Sequence, residues 1–112
     1  DAGQRLVMGT PSYPAYRNTA LALNVLPVGV PAGFATGFQL PLDVLKQIDG
    51  AHGLLIASPA NPTGTVIPAH ELESIAVLCR SKHWRLIADE IYHGLSYGVE
   101  TPSVLSFAPD AI

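Results

Sequence analysis

Four short, largely apolar runs set the tightest limit on how this chain can fold. They are Gln4–Met8, Val25–Val30, Gly53–Ala57 and Trp84–Ala88. Each has the length of one β-strand and is closed by glycine, proline or polar residues. Gly53-Leu-Leu-Ile-Ala57 is apolar throughout rather than alternating, as a strand covered on both faces would be. The segments between the runs change period. Tyr16, Ala20 and Leu23 fall on one side of a helix over Tyr13–Leu23. Leu42, Leu45 and Ile48 do the same over Leu40–Ile48, and Leu72, Ile75, Ala76 and Cys79 over Pro68–Lys82. Strands that alternate with helices predict βαβ units with right-handed crossovers. The expected fold class is therefore α/β: a mainly parallel sheet with helices on both faces.

The boundaries carry their own chemistry. Pro68 opens the longest helix, Glu71 and Glu73 sit in its early turns, and Arg80 and Lys82 lie near its end, as the helix dipole favours. Pro41 is expected in the first turn of the preceding helix. Pro27 interrupts the second run and places it at a sheet edge. Pro31–Gln39 reads as a loop. Ser103–Phe107 reads as a further strand or a helix start. The ten glycines and ten prolines punctuate the runs instead of clustering, and there is no internal repeat or linker.

Composition narrows the partners. The 112 residues suffice for one small domain with a modest core. Six Lys and Arg spread along a chain of net charge −3 form no basic stripe, which argues against nucleic acid. No apolar run approaches the ~18–20 residues of a membrane span, and no signal peptide is visible. The lone Cys79 excludes an internal disulfide and fits a reducing, cytoplasmic setting. His52, His70 and His83 lack ligand spacing, so no metal site is expected.

The polar residues fall in a pattern. Ligands of open α/β sheets bind beyond the carboxyl ends of the strands. Tyr13 lies just past the first strand. Asn61 lies past the third, within Ser58-Pro-Ala-Asn-Pro-Thr-Gly64. Asp89, Glu90 and Tyr92 end the fourth. Such a set could stack on a ring, meet its edge with an amide and a phenol, and pair a basic ring nitrogen with a carboxylate. It equally suits an Asn61 that caps a turn, an Asp89 that caps a helix and a Tyr92 packed in the core.

Ser58-Pro-Ala-Asn-Pro-Thr-Gly64, a helix, and then Ala88-Asp-Glu-Ile-Tyr92 resemble the central part of class I/II aminotransferases. Thr10-Pro-Ser-Tyr-Pro-Ala-Tyr16 is similar to that family's upstream segment, in the same order. The resemblance implies a partial pyridoxal-phosphate-binding large domain over residues 1–112, of the aspartate aminotransferase fold. By it, Tyr13 stacks on the pyridine ring, and Asn61 hydrogen-bonds the phenolic oxygen and also touches the substrate carboxylate. Asp89 pairs with the ring nitrogen, and Tyr92 donates to the phenolic oxygen. Glu90 has a structural hydrogen-bonding role, and Asn61-Pro62 is a candidate cis bond. The implied activity is amino-group transfer between an amino acid and a 2-oxo acid, in a homodimer.

The resemblance also shows what this stretch lacks. The lysine that forms the Schiff base lies downstream in the family, so no catalytic residue is expected in this chain. Neither Lys46 nor Lys82 matches it, and both read as solvated helix residues. The glycine-rich phosphate turn and the carboxylate-binding arginine are not among these residues either. The expectation is an inactive middle portion of a longer enzyme. Two alternatives share the scaffold: a carbon–sulfur β-lyase, whose relatives commonly carry histidine where this chain has Tyr92, and the aminotransferase-like sensor domain of a transcription regulator.

Overall fold

The computed structural model describes residues 1–112. Its elements run β1 (Arg5–Thr10), α1 (Pro14–Ala22), β2 (Leu26–Pro31), α2 (Leu42–Lys46), β3 (Gly53–Ala57), α3 (Ala69–Ser81) and β4 (Arg85–Asp89). Short 3-10 turns occupy Phe34–Thr36 and Val104–Ser106. The last of these resolves the Ser103–Phe107 segment as a single turn, with the Ser103 hydroxyl accepting from the Leu105 amide at 3.2 Å. Pro41 and Pro68 stand one position earlier than expected, as the capping residues before α2 and α3.

The strands form one parallel sheet in the order β2-β1-β3-β4. Pro27 does lie on an edge strand, where a missing amide is tolerated. Chain direction across the sheet reverses after β2, and the helices change face with it. Val7, Leu54, Ile56 and Leu86 point to the side covered by α2 and α3, where they join Leu45, Leu72, Ile75, Ala76 and Cys79 in one core. Leu6, Leu55 and Ile87 point the other way, toward Ala15, Thr19 and Ala20 of α1. This alternation follows from the two-residue period of a strand.

The two sides are unequally covered. The α3 side is closed, with Val7, Leu45 and Leu54 fully buried. The nine-residue α1 leaves a groove of about 1000 Å³ along its side of the sheet. Gly53 begins β3 because nothing larger fits: a Cβ there would lie 2.9 Å from the Arg85 carbonyl oxygen.

Both long helices end the same way. Asn24 and His83 adopt left-handed conformations (φ +55° each), just past α1 and α3. The following amides turn back: Val25 N donates to Ala20 O and Trp84 N to Cys79 O, both at 2.8 Å. These are the six-residue closures of the Schellman motif. They release the chain directly into β2 and β4.

Candidate functional site

The point where the chain reverses direction lies between β1 and β3. After β1 the chain leaves for the α1 side; after β3 it leaves for the α3 side. The carboxyl ends of these strands therefore splay apart, and a cleft opens between Pro11, Ser12 and Tyr16 on one wall and Ala60, Asn61 and Thr63 on the other. This is the place where open α/β sheets bind ligands.

The Ser58–Gly64 loop is a built structure. Ser58 is buried; its amide donates to the Asp89 carbonyl at 3.1 Å, and its hydroxyl accepts from the Ile67 amide at 2.9 Å. Ala60 N donates to Thr65 O, and Gly64 N, at φ +68°, donates to Ala60 O. From the preceding loop, Gln39 Nε2 donates to both the carbonyl and the hydroxyl of Thr65 (3.1 and 2.9 Å). The Ser58-Pro59 and Asn61-Pro62 bonds are cis, as is Thr10-Pro11 across the cleft. Asn61 is held at the lip of the cleft, half-buried.

Asp89 ends β4 on the α1 side, in phase with Ile87. Its Oδ1 accepts from the Ile91 amide at 3.0 Å, and its Oδ2 accepts from the Tyr16 hydroxyl at 2.5 Å. Tyr16 in turn meets Tyr13 edge to face, with ring centroids 5.6 Å apart. Its phenol ionises well above the ordinary range near 10. Burial is the main cause; the hydrogen bond to Asp89, the charge of that carboxylate, and the nearby Tyr92 and Tyr13 hydroxyls add to it. Tyr13 and Tyr92 are 44% and 39% exposed, so both rings can reach a ligand. The Asn61 amide and the Tyr13 and Tyr92 hydroxyls have no hydrogen-bond partner within the chain. Glu90 is occupied structurally, accepting from the Val104 amide at 2.5 Å.

The four residues singled out from the sequence thus stand at the carboxyl ends of adjacent strands. Tyr16 is what links them: it touches Tyr13 and Asp89 and lines the cleft with Asn61. The sequence puts Tyr16 in the apolar stripe of a helix and at the end of the Thr10–Tyr16 segment, and neither gives its hydroxyl a role. The available signal was its hydroxyl, one turn after Tyr13 and therefore on the same side of the helix start.

Lys82 departs from its expected role as a solvated residue. Its Nζ donates to the Ile48 carbonyl at 2.7 Å, lies 3.3 Å from Asp49 and sits 5.3 Å from the Trp84 ring centre. The long apolar stem lets the ammonium reach backbone that spacing cannot reveal. Lys46 pairs with Asp43 on α2 and is exposed, as expected. Cys79 is buried among apolar residues, which pushes its thiol up to about 12.

Residues 1–111 match the family model for aminotransferase class I and II. The chain belongs to that family. A valine–pyruvate aminotransferase of Mycobacterium tuberculosis is 51% identical over 98 residues, which is 87% of this chain and 25% of that protein. The crystal structure of an aminotransferase from the same organism superposes with a TM-score of 0.92 at 45% identity, covering 99% of this chain and 31% of that one. A putative aminotransferase from Silicibacter pomeroyi superposes at 0.93 with 33% identity, over 30% of its chain. This aminotransferase-family chain spans about a quarter to a third of the length of the relatives it matches. No helix in it is long and apolar enough to cross a membrane.

Proposed function

We propose that residues 1–112 are the ring-binding part of the pyridoxal-phosphate domain of a longer aminotransferase. That enzyme would move an amino group between an amino acid and a 2-oxo acid as a cytoplasmic homodimer. One observation carries the reading: a carboxylate held by two donors at the end of β4, one strand from the switch point of a parallel sheet, with two open tyrosines and an unpartnered amide nearby.

The donor set suits the cofactor. Asp89 would pair with the ring nitrogen, because a fixed carboxylate favours the protonated form of a neighbouring base. Tyr13 would cover the ring face. Asn61 and Tyr92 would donate to the phenolic oxygen, and Asn61 would also meet the substrate carboxylate. When bound, pyridoxal phosphate supplies an electron sink for the bond broken at the substrate α carbon. The chain's own contribution is preorganisation: the braced loop holds Asn61, and the Asp89 carboxylate cannot turn away without breaking two hydrogen bonds.

Both lysines of the chain are engaged elsewhere. Lys82 precedes β4 and so lies toward the amino ends of the strands, away from the cleft, while Lys46 pairs with Asp43 on α2. The 112 residues alone are therefore proposed to be inactive.

The test is an assay of the full-length protein with added pyridoxal phosphate, valine and pyruvate first, followed by other amino-acid and 2-oxo-acid pairs. Alanine formation, or transfer with another pair, supports the reading. Failure to bind the cofactor, or elimination without amino transfer, sinks it. The isolated chain should give no turnover in the same assay.

A further inference from the structure

The hydrogen bond between Tyr16 and Asp89 joins residues 73 positions apart and spans the end of β3. It is the only side-chain bond that Tyr16 makes, and it meets a carboxylate already held on its other oxygen by the Ile91 amide. A carboxylate oxygen offers two lone-pair directions. Tyr16 and Ile91 take one on each oxygen, so each keeps one free, and the carboxylate plane is set by both donors together.

The donor itself is well anchored. Tyr16 projects from the first turn of α1, and its ring meets Tyr13 edge to face. A tyrosine has only two side-chain torsions to order, and here one side of its ring is already packed. An O–H donor on a carboxylate is also among the shorter and stronger hydrogen bonds in proteins.

We propose that Tyr16 is a positioning residue for the cofactor: its hydroxyl aims the Asp89 carboxylate at the ring nitrogen and keeps it aimed. The inference rests on the pyridoxal-phosphate reading above. Tyr16 itself needs no contact with the cofactor. It acts on Asp89 in two ways that oppose each other. Holding the carboxylate in place strengthens the pairing with the ring nitrogen. Donating a hydrogen bond draws charge from the carboxylate and weakens its pull on the ring proton. A residue that merely tied α1 to β4 would produce neither effect on the ring.

The experiment uses the full-length protein loaded with pyridoxal phosphate labelled with 15N in the ring. Its readouts are cofactor affinity and the ring-nitrogen chemical shift, which distinguishes protonated from neutral nitrogen. Wild type, Tyr16→Phe, Asp89→Ala and a protein carrying 3-fluorotyrosine at position 16 are compared. Tyr16→Phe should weaken cofactor binding roughly tenfold, the scale of one charge-assisted hydrogen bond. It should also move the nitrogen signal toward neutral. Fluorotyrosine keeps the shape and donates more strongly. It should retain the affinity while the nitrogen signal moves partway toward neutral.

If Tyr16→Phe leaves affinity and shift unchanged while Asp89→Ala loses both, Tyr16 is not a positioning residue and the functional reading survives. If Asp89→Ala also changes nothing, the functional reading fails and takes this inference with it. A second measurement needs no cofactor. The Tyr16 hydroxyl proton, followed by 1H NMR, should lie downfield and exchange slowly in wild type and lose both features in Asp89→Ala. A fast-exchanging hydroxyl in folded wild type would mean that the pair does not exist in solution, which overturns the proposal even if Tyr16→Phe is too unstable to load.

Discussion

Leu54 and Leu55 are neighbours in β3, and they live in different environments. Leu54 is fully buried against α3, while Leu55 faces the groove beside α1. The same contrast runs across the whole sheet. The α3 side carries the continuous core and holds the fold together. The α1 side is thinly covered, yet Tyr16 and Asp89 meet there. Stability and the candidate chemistry are thus largely assigned to opposite sides of one sheet. The loop bearing Asn61 bridges them, since it leaves β3 beside the cleft and runs on to α3.

The contrast makes a direct prediction. Leu54→Ala should cost about 3 kcal/mol in urea unfolding of the chain, as transfer and cavity effects add. Leu55→Ala should cost about 1 kcal/mol, because its side chain is only partly buried. Equal losses would break the comparison. In the full-length protein the Leu55→Ala cost should rise toward that of Leu54→Ala, if further chain covers the groove.

Gly53 sharpens the contrast by being an exception to it. It lies in phase with Leu55, yet a Cβ there meets backbone rather than open space. Gly53→Ala should cost about 2 kcal/mol, since β4 cannot yield without losing its register. A neutral result would show that the two strands separate easily.

At the groove's lower rim, Lys82→Ala removes a donor to the Ile48 carbonyl and the contact with Trp84. A loss of about 1 kcal/mol is expected. Lys82→Arg should recover only part of it, because the guanidinium differs in shape from the ammonium. A solvated lysine would give no change.

The last effect has no amplitude at neutral pH. Cys79 on the closed side and Tyr16 on the open side both hold their protons more tightly folded than unfolded. Their stabilising effect is complete below the unfolded values, near 9 and 10, and is lost as pH rises through the folded ones. Stability should therefore fall above about pH 9, and Cys79→Ala should flatten the first part of that fall. The thiol should resist alkylation at pH 8 until the chain unfolds.

The sequence made the fold legible wherever local chemistry decides it. β3 was readable to the residue, because an apolar run flanked by a glycine and a proline loop has one interpretation. The edge position of β2 followed from Pro27. What the sequence hid were contacts made across the sheet. Nothing local to Tyr16 names a partner 73 residues away, and nothing local to Lys82 shows that its stem bends back to Ile48. Helix ends shifted by one or two residues because Pro41 and Pro68 serve equally as caps or as first-turn residues. The places of Tyr13, Asn61, Asp89 and Tyr92 were readable because strand ends in a parallel sheet collect together. The residue that connects them was not.

Ser58 gives the two walls of the cleft a shared bearing. Its amide is tied to the end of β4 and its hydroxyl to the approach to α3. Any motion that lifts the Asn61 loop must pull on the backbone of Asp89 or release it. Hydrogen exchange at this one amide therefore reports on both walls at once. A ligand gripped by Asn61 and Asp89 together should slow that exchange more than one gripped by either alone.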